Sequence, residues 1–213
     1  MFRLIFPPKC TLCQQLLSRQ ETDFCHHCRE NTEKFKKSKS HIPFVAHWTA
    51  LWYYKENVRG SIHRFKFGYR RRYADVYGRL MAMKLSGSLA EDADILSWVP
   101  VSRLRKLKRG YDQSELLCRA IGKELGMPVS GVLKKIRHTP PQSGLHNAAQ
   151  RRANVMGAYK VLDPKSVVGK RILLIDDVVT TGATASECAR TLLIAGAKEV
   201  YLAAVAAANY DKK

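Results

Sequence analysis

The stretch that most restricts the fold lies between residues 171 and 195, where an apolar run leads into two adjacent aspartates. Arg171–Asp176 is predicted to be a buried strand, and a small-residue loop over Val178–Thr184 leads into an amphipathic helix over Ala185–Ala195. A further apolar strand is predicted at Val200–Val205. Strand–loop–helix–strand units of this length indicate a parallel, right-handed α/β sheet.

The two acids of this stretch indicate the kind of ligand that it binds. Ligands of parallel sheets bind at the carboxyl ends of the strands, where Asp176 and Asp177 lie, and the next helix begins with N–H groups that favour anions. Threonine hydroxyls and Gly182 suit a phosphate cradle. Carboxylates repel a bare phosphate, so the pattern predicts sugar hydroxyls or Mg²⁺ between them, as with a phosphorylated ribose. Capping of the helix is the alternative, but two adjacent aspartates could not both cap it.

The rest of the chain supplies further elements for such a domain. Apolar periodicity predicts strands over 46–54 and 95–99, and helices over 58–65, 73–85 and 114–125. Residues 30–43 are interpreted as a linker or a frayed helix end, and residues 103–110 as a basic loop. Residues 137–157, rich in Pro, Gly and amide side chains, are predicted to form a long loop of the kind that is usually functional.

Four of the six cysteines form two CxxC pairs near the start of the chain, which indicates a metal site. Cys10, Cys13, Cys25 and Cys28 supply four thiolates, enough for a tetrahedral structural zinc ion. Disulfides are the alternative, and they are disfavoured because no secretion signal is evident. His26 and His27 could compete as ligands, although four thiolates already satisfy the metal. We therefore predict a zinc-binding module and linker over residues 1–40 and an α/β domain over residues 41–213.

The remaining cysteines, Cys118 and Cys188, fall on apolar helix faces, so we interpret them as small buried hydrophobic residues.

The chain is strongly basic, with a net charge of +19 and 37 Lys and Arg residues against 18 acids. The excess is concentrated: residues 34–72 carry eleven basic residues and one acid, and residues 103–110 carry five and none. Such blocks favour a polyanionic partner, most simply nucleic acid, over a solvated surface. No apolar run approaches the ~18–20 residues of a membrane span, and no signal peptide is evident. We therefore expect a soluble, cytoplasmic protein.

The sequence "ILLIDDVVTTGAT", residues 172–184, resembles the phosphoribosyl-pyrophosphate (PRPP) signature of type I phosphoribosyltransferases. The resemblance implies the fold of that family, a parallel sheet flanked by helices. It also implies that both acids contact the ribose hydroxyls, that the following loop binds the 5′-phosphate, and that Mg²⁺ accompanies the pyrophosphate. The residues assigned in this way to PRPP are Asp176, Asp177, Val178, Val179, Thr180, Thr181, Gly182, Ala183 and Thr184.

Over nearly its whole length the chain resembles the ComF family. The resemblance rests on the four-cysteine start, "VPVSRLRKLKRGYDQSELL" (residues 99–117), "RHTPPQSGLHNAAQRRANVMGAY" (residues 137–159) and the PRPP signature. It implies a role in competence, that is, DNA uptake and natural transformation, with internalised single-stranded DNA as a ligand. A competence helicase and recombination mediator proteins are the implied protein partners.

The resemblance also assigns roles to the basic segments. A pyrophosphate loop would comprise Pro100, Val101, Ser102 and Arg103. A flexible loop over Gln142–Asn154 would close over the site, with Arg151 and Arg152 as catalytic residues that stabilise negative charge. The candidate contacts to nucleic acid are Arg70, Arg71, Arg72, Arg103, Arg105, Lys106, Lys108 and Arg109.

Two functions from different classes follow from these patterns, and a third is weaker. The charge distribution favours a protein that binds single-stranded DNA and retains a PRPP site. The intact acid pair and Thr-Gly loop keep open an active phosphoribosyltransferase of nucleotide salvage or biosynthesis, whose acceptor no motif identifies. The weaker hypothesis is a scaffold that binds a helicase through the zinc module.

Overall fold

Strands and helices alternate along the α/β part of the chain. The computed structural model describes residues 7–36, 41–140 and 147–208. The strands of these residues are β1 (Trp48–Tyr53), β2 (Ile95–Trp98), β3 (Leu133–Lys135), β4 (Tyr159–Val161), β5 (Arg171–Val179) and β6 (Glu199–Ala207). The helices are α1 (His26–Asn31), α2 (Glu56–Phe67), α3 (Tyr73–Leu85), α4 (Leu89–Asp92), α5 (Arg103–Arg109), α6 (Gln113–Leu125), α7 (Ala148–Val155) and α8 (Ala183–Ile194).

The main sheet has the strand order β1-β6-β5-β2, and every neighbouring pair is parallel. This confirms the parallel sheet predicted from the strand–loop–helix unit. The two central strands are buried on both faces, so they are almost wholly apolar, as parallel strands covered by helices must be. The polar exceptions on β5 are at its two ends, and the acids are at the carboxyl end.

Helices cover both faces of this sheet. On one face α3 and α6 pack together, and Tyr77, Met81 and Leu117 belong to the same buried cluster as Leu173 of β5. On the other face α8 and the small antiparallel pair β3–β4 enclose a second buried cluster. Cys118 lies in the first cluster and Cys188 in the second, both fully buried, which confirms their interpretation as small core residues.

The N-terminal cysteine segment packs into the same core as the sheet. Leu12 and Leu17 belong to the cluster around α3 and α6, and the ring of Phe24 lies 6.0 Å from that of Trp52. Ser61 of α2 donates a hydrogen bond of 2.6 Å to the carbonyl of Thr11. The module is therefore attached to the domain by burial and by buried hydrogen bonds, and the division at residue 40 stays a prediction.

Several local predictions were wrong. Residues 30 and 31 of the expected linker or frayed helix end complete α1, whereas Phe35 is not in a linker: its N–H donates to the Leu51 carbonyl of β1 at 2.8 Å and its ring is buried. The expected basic loop at residues 103–110 is the helix α5, which buries none of its residues and so carries no strong apolar period. The long loop at residues 137–157 contains α7, a short helix whose beginning is capped by Asn147.

The elements of the site extend slightly beyond their predicted bounds. Strand β5 continues to Val179, and α8 begins at Ala183, so the loop between them shortens to residues 180–182. The pair β3–β4 was not predicted, because three-residue strands carry too little periodicity. None of the described helices is long and apolar enough to cross a membrane.

Candidate functional site

Asp176 and Asp177 lie near the carboxyl end of strand β5 itself rather than in the loop that follows it. Asp177 is 7% exposed and forms an ion pair with Lys66 of α2, with 2.7 Å between Nζ and Oδ1. Oδ1 of Asp176 accepts the Asp177 N–H at 2.8 Å and the Ser114 hydroxyl at 3.2 Å. Three elements, β5, α2 and the start of α6, therefore meet at the two carboxyl groups.

The two carboxyl groups differ in charge. Burial, followed by the neighbouring Asp177 carboxylate, raises the pKa of Asp176 to about 8. Asp176 therefore holds a proton at neutral pH, while the ammonium group of Lys66 balances the charge of Asp177. This explains how two adjacent acids are accommodated at the end of an apolar strand. It also leaves one carboxylic acid that can donate and one carboxylate that can only accept.

A small cavity lies beside the acids and has the shape of a cradle around the start of α8. It is lined by Asp176 and by residues 178–185, so the residues of the predicted PRPP loop surround one cavity. Gly182 adopts a left-handed φ of 69° at the helix N-cap, and the first intrahelical bond runs from the Ser186 N–H to its carbonyl at 2.8 Å. The positive end of the helix dipole thus lies at the cradle, which suits a phosphate group.

We expect the Gly182→Ala variant to be destabilised, because its conformation and its neighbour both oppose a side chain. A Cβ at this position would lie 2.9 Å from Cγ1 of the buried Ile42, in addition to the cost of the left-handed φ. Gly169→Ala is the matched control: φ is also 69°, but no atom of the described residues lies within 4 Å of the added Cβ.

In urea unfolding, Gly182→Ala should lower the free energy of unfolding by about 1–2 kcal/mol more than the Gly169→Ala control does. The difference between the two variants measures the cost of overpacking alone. Equal losses would show that Ile42 does not constrain the cradle.

The loop after β2 forms a second wall of the site. The N–H of Val101 donates to Asp112 at 2.9 Å, and the same carboxylate caps α6 through the N–H groups of Ser114 and Glu115. Ser102 is buried and its hydroxyl lies 3.0 Å from Nδ1 of His138. Asp112 therefore ties the predicted pyrophosphate loop to the helix that carries Ser114. Neither Asp112 nor Ser114 was predicted from the sequence as a site residue, although both lie in the segment over residues 99–117 that carries the ComF resemblance.

One basic side chain of β3 and one of α5 extend this wall. Burial lowers the pKa of Lys135 to about 8, and its ammonium group donates to the Thr139 hydroxyl at 2.9 Å. Burial also lowers the pKa of Arg105, whose guanidinium donates to the Thr139 carbonyl at 2.7 Å. The positive charge of Arg105 also lowers the pKa of Lys135, whereas Asp176 raises it. Arg105, predicted as a nucleic-acid contact, thus lies against the loop at residues 137–139, and Lys135 was not predicted at all.

The remaining predicted residues occupy three places. Arg103, Lys106, Lys108 and Arg109 lie on α5, and Arg70, Arg71 and Arg72 form the turn between α2 and α3. Arg151 and Arg152 lie on α7, which packs against α8. Residues 141–146, part of the predicted flexible loop, are outside the described residues.

The four cysteines of the CxxC pairs converge. Their sulfur atoms all lie within 4.8 Å of one another, and Sγ of Cys13 lies 3.6 Å from that of Cys25. A tetrahedral zinc ion with Zn–S bonds of about 2.3 Å separates its sulfur ligands by about 3.8 Å, so the donor set fits zinc. None of the six cysteines is in a disulfide, and His26 and His27 are exposed outside the cluster. Asn57 of α2 places its amide nitrogen 4.0 Å from the Cys28 sulfur.

Comparison with known proteins gives consistent matches. Residues 112–213 match the family described as the phosphoribosyl transferase domain. The chain is 27% identical over 202 residues to Competence protein F of Haemophilus influenzae, a match that covers 90% of this chain and 86% of that protein. It is 29% identical over 220 residues to the DNA utilization protein YhgH of Escherichia coli K12, covering 92% and 96%. It is 28% identical over 224 residues to Competence protein ComFC of Streptococcus pneumoniae, covering 90% and 96%.

The matched domain begins at Asp112 and contains β5, the acid pair and the cradle. Together with the parallel sheet and the helices on its two faces, this match confirms the predicted phosphoribosyltransferase fold. The similarity to the relatives extends well beyond the matched domain, since it covers about nine tenths of the chain.

Proposed function

We propose, for a chain that belongs to the ComF family of competence and DNA utilization proteins, that its pocket binds PRPP and that its basic surface binds single-stranded DNA. The protein would act in competence-linked DNA uptake and natural transformation. Free thiols within metal-binding distance of one another suit a reducing compartment, so we infer that it works in the cytoplasm.

The acid pair beside the cradle is the observation that carries the ribose-phosphate part of this proposal. Asp177 is a buried carboxylate that can accept from sugar hydroxyls, and Asp176 carries a proton that it can donate. The phosphate cradle begins one residue further along the same strand. A 5-phosphorylated ribose has hydroxyls and a phosphate at the two ends of one small ring, which matches this order of groups.

The pyrophosphate of PRPP would lie toward the loop after β2. Val101 and Ser102 of that loop are held by Asp112 and His138, and Lys135 and Arg105 supply positive charge beside it. Carboxylate and phosphate oxygens are the donors that Mg²⁺ prefers, so the Asp177 carboxylate and the pyrophosphate oxygens together fit that ion. Mg²⁺ would neutralise part of the pyrophosphate charge, whereas Asp176 and Asp177 would orient the sugar.

An active phosphoribosyltransferase remains the second candidate, because these groups are the ones that a transfer needs. In a transfer the bond between C1 of the ribose and the pyrophosphate oxygen breaks, the pyrophosphate leaves with the electron pair, and an acceptor atom bonds to C1. Positive charge from Lys135 and Arg105, with Arg151 and Arg152 on α7, would stabilise the leaving group.

The cysteine cluster is proposed to hold a structural zinc ion. Its attachment to α2 through Ser61, Asn57 and the buried leucines suggests that it stabilises the domain as well as itself. The competence helicase and the recombination mediator proteins are proposed protein partners, and the exposed side of the module offers one surface on which they could bind.

Titration calorimetry with PRPP and Mg²⁺ tests the ribose-phosphate part. We expect saturable binding that ribose 5-phosphate weakens by competition and that pyrophosphate alone mimics only poorly. Pyrophosphate release in the presence of nucleobases would favour the enzyme, and binding without release would favour the accessory role. No binding of PRPP at millimolar concentration would contradict the proposal.

Binding of a labelled oligo(dT) tests the DNA part. Affinity should fall steeply with salt, because each phosphate contact releases bound counterions from the strand. Affinity that is independent of salt would contradict binding through the basic surface.

A further inference from the structure

Two aromatic rings project from the protein next to the pocket. Phe67, the last residue of α2, is 52% exposed, and Tyr69 in the following turn is 72% exposed. Tyr69 also adopts a left-handed φ of 54°, which is uncommon for a residue with a bulky side chain. Two large rings in one strained, solvent-facing turn have no role in the core, so they indicate a binding surface.

Arginine side chains hold this turn against the end of α5. The guanidinium carbon of Arg109 lies 4.8 Å from the centre of the Phe67 ring, and that of Arg71 lies 5.1 Å from the centre of the Tyr111 ring. Arg71 also donates to the Gly110 carbonyl at 3.0 Å. The aromatic rings and the guanidinium groups therefore form one preorganised surface rather than separate mobile side chains.

The surface continues into a groove between α3 and α6. Arg71 lines this groove as well, together with Arg72, Arg119 and Lys123. Asp75 is the acid among its lining residues, so the groove is basic overall. Arg119 also forms an ion pair with Glu115, one turn earlier in α6, which holds the Arg119 side chain along the helix surface.

We define the basic-aromatic tract by its residues: Phe67, Tyr69, Arg71, Arg72, Arg109, Arg119 and Lys123. One end of the tract reaches the pocket through Lys66, which precedes Phe67 and pairs with Asp177. Gln113 strengthens that link, because it accepts from Arg109 at 2.8 Å and donates to the Lys66 carbonyl at 3.5 Å.

We propose that single-stranded DNA lies along the basic-aromatic tract and outside the ribose-phosphate pocket. Its bases stack on Phe67 and Tyr69, and its phosphates contact the arginines and Lys123. A single strand exposes the faces of its bases, whereas a duplex hides them, so exposed rings select the single strand. The inference rests on the proposed function and deepens it by naming the surface that holds the strand.

The pocket itself is a poor site for DNA. In the proposed function Asp177 accepts from sugar hydroxyls, and deoxyribose lacks the 2′-hydroxyl that such a group reads. The basic residues of the pocket wall, Lys135 and Arg105, are partly buried against the loop at residues 137–139, where both donate to Thr139. The tract and the pocket should therefore be occupied at the same time.

Fluorescence anisotropy with a labelled oligo(dT) tests the tract. Tyr69→Ala should weaken binding by about 5- to 150-fold, the range for losing one stacked base, and Tyr69→Phe should bind like the wild type. Arg71→Ala should weaken binding and lower the slope of log affinity against log salt by about 0.7. The charge control is the double variant Lys170→Ala, Lys198→Ala, which removes two exposed lysines near the amino ends of β5 and β6.

The outcomes separate the two proposals. If the wild-type protein binds no strand, the proposed function fails in its DNA part and the tract fails with it. If the wild type binds but Tyr69→Ala and Arg71→Ala bind no more weakly than the lysine control, the tract alone is wrong. Displacement of the strand by PRPP would also overturn it, because it would place DNA in the pocket. Melting temperatures equal to that of the wild type exclude misfolding as the cause, since Tyr69 is exposed.

Discussion

Replacing Cys25 by serine should remove the bound zinc and lower the melting temperature by about 10 °C. A structural zinc ion supplies folding energy directly, and in this protein the module shares its core with the sheet domain. At about 2–4 °C per kcal/mol for a domain of this size, a loss of about 3–5 kcal/mol in unfolding free energy shifts the melting temperature by about 10 °C. The effect should spread beyond the module, because Phe24 contacts Trp52 and Ser61 bonds to Thr11.

The measurements are zinc content per chain, thermal unfolding and tryptophan fluorescence. The wild type should carry one zinc ion and Cys25→Ser none. Cys118→Ser is the matched control: it alters a fully buried thiol outside the cluster, so stability should fall while zinc stays bound. A wild-type protein without zinc, or a disulfide between any of the four cysteines, would contradict the metal site.

Asp177→Asn should weaken PRPP binding by about 100-fold. The carboxylate is the charged acceptor in the pocket, and charge-assisted hydrogen bonds to two hydroxyls contribute about 1.5 kcal/mol or more each. Asp176→Asn should weaken binding much less, about tenfold or below. Asp176 holds a proton at neutral pH because burial and the Asp177 charge raise its pKa, so an amide reproduces its acceptor and donor groups.

Titration calorimetry of the two variants checks this asymmetry, with the exposed Asp92→Asn as a control for loss of one negative charge. Equal losses for both variants would show that Asp176 binds the sugar as a carboxylate. The double variant Asp176→Asn, Asp177→Asn should lower transformation frequency in a competent host. Unchanged transformation would show that the sugar-phosphate site is not needed for DNA uptake.

The strand–acid–loop–helix unit was predicted from the sequence because its signals are local. Apolar periodicity, adjacent charges and a Thr-Gly loop act within about 25 residues, and each is a property of the backbone or of nearby side chains. The CxxC pairs are local in the same sense, since each turn brings two thiolates together. For this reason the parallel sheet and the convergence of the four cysteines agree with expectation.

Residues that act on the site from distant positions in the chain were missed. Lys66 lies 111 positions before Asp177 along the chain, and Ser114 lies 62 positions before Asp176. Nothing near Lys66 distinguishes it from the other basic residues of its segment. The same applies to Arg105. The sequence does not distinguish it from the other basic residues of α5, whereas in the structure its guanidinium donates to the Thr139 carbonyl.

By itself, the sequence determined the class of fold, the four-cysteine cluster and the position of the proposed ribose-phosphate site, because hydrophobic period, ligand spacing and turn chemistry are encoded over short stretches. Only the tertiary structure decided how the charges are shared. It placed the Lys66 ammonium beside Asp177, buried Asp176 so that it keeps a proton, and brought Arg109 over the Phe67 ring and Arg71 to the Gly110 carbonyl. Charge balance and surface continuity depend on distances between residues far apart in the chain, and folding alone sets those distances.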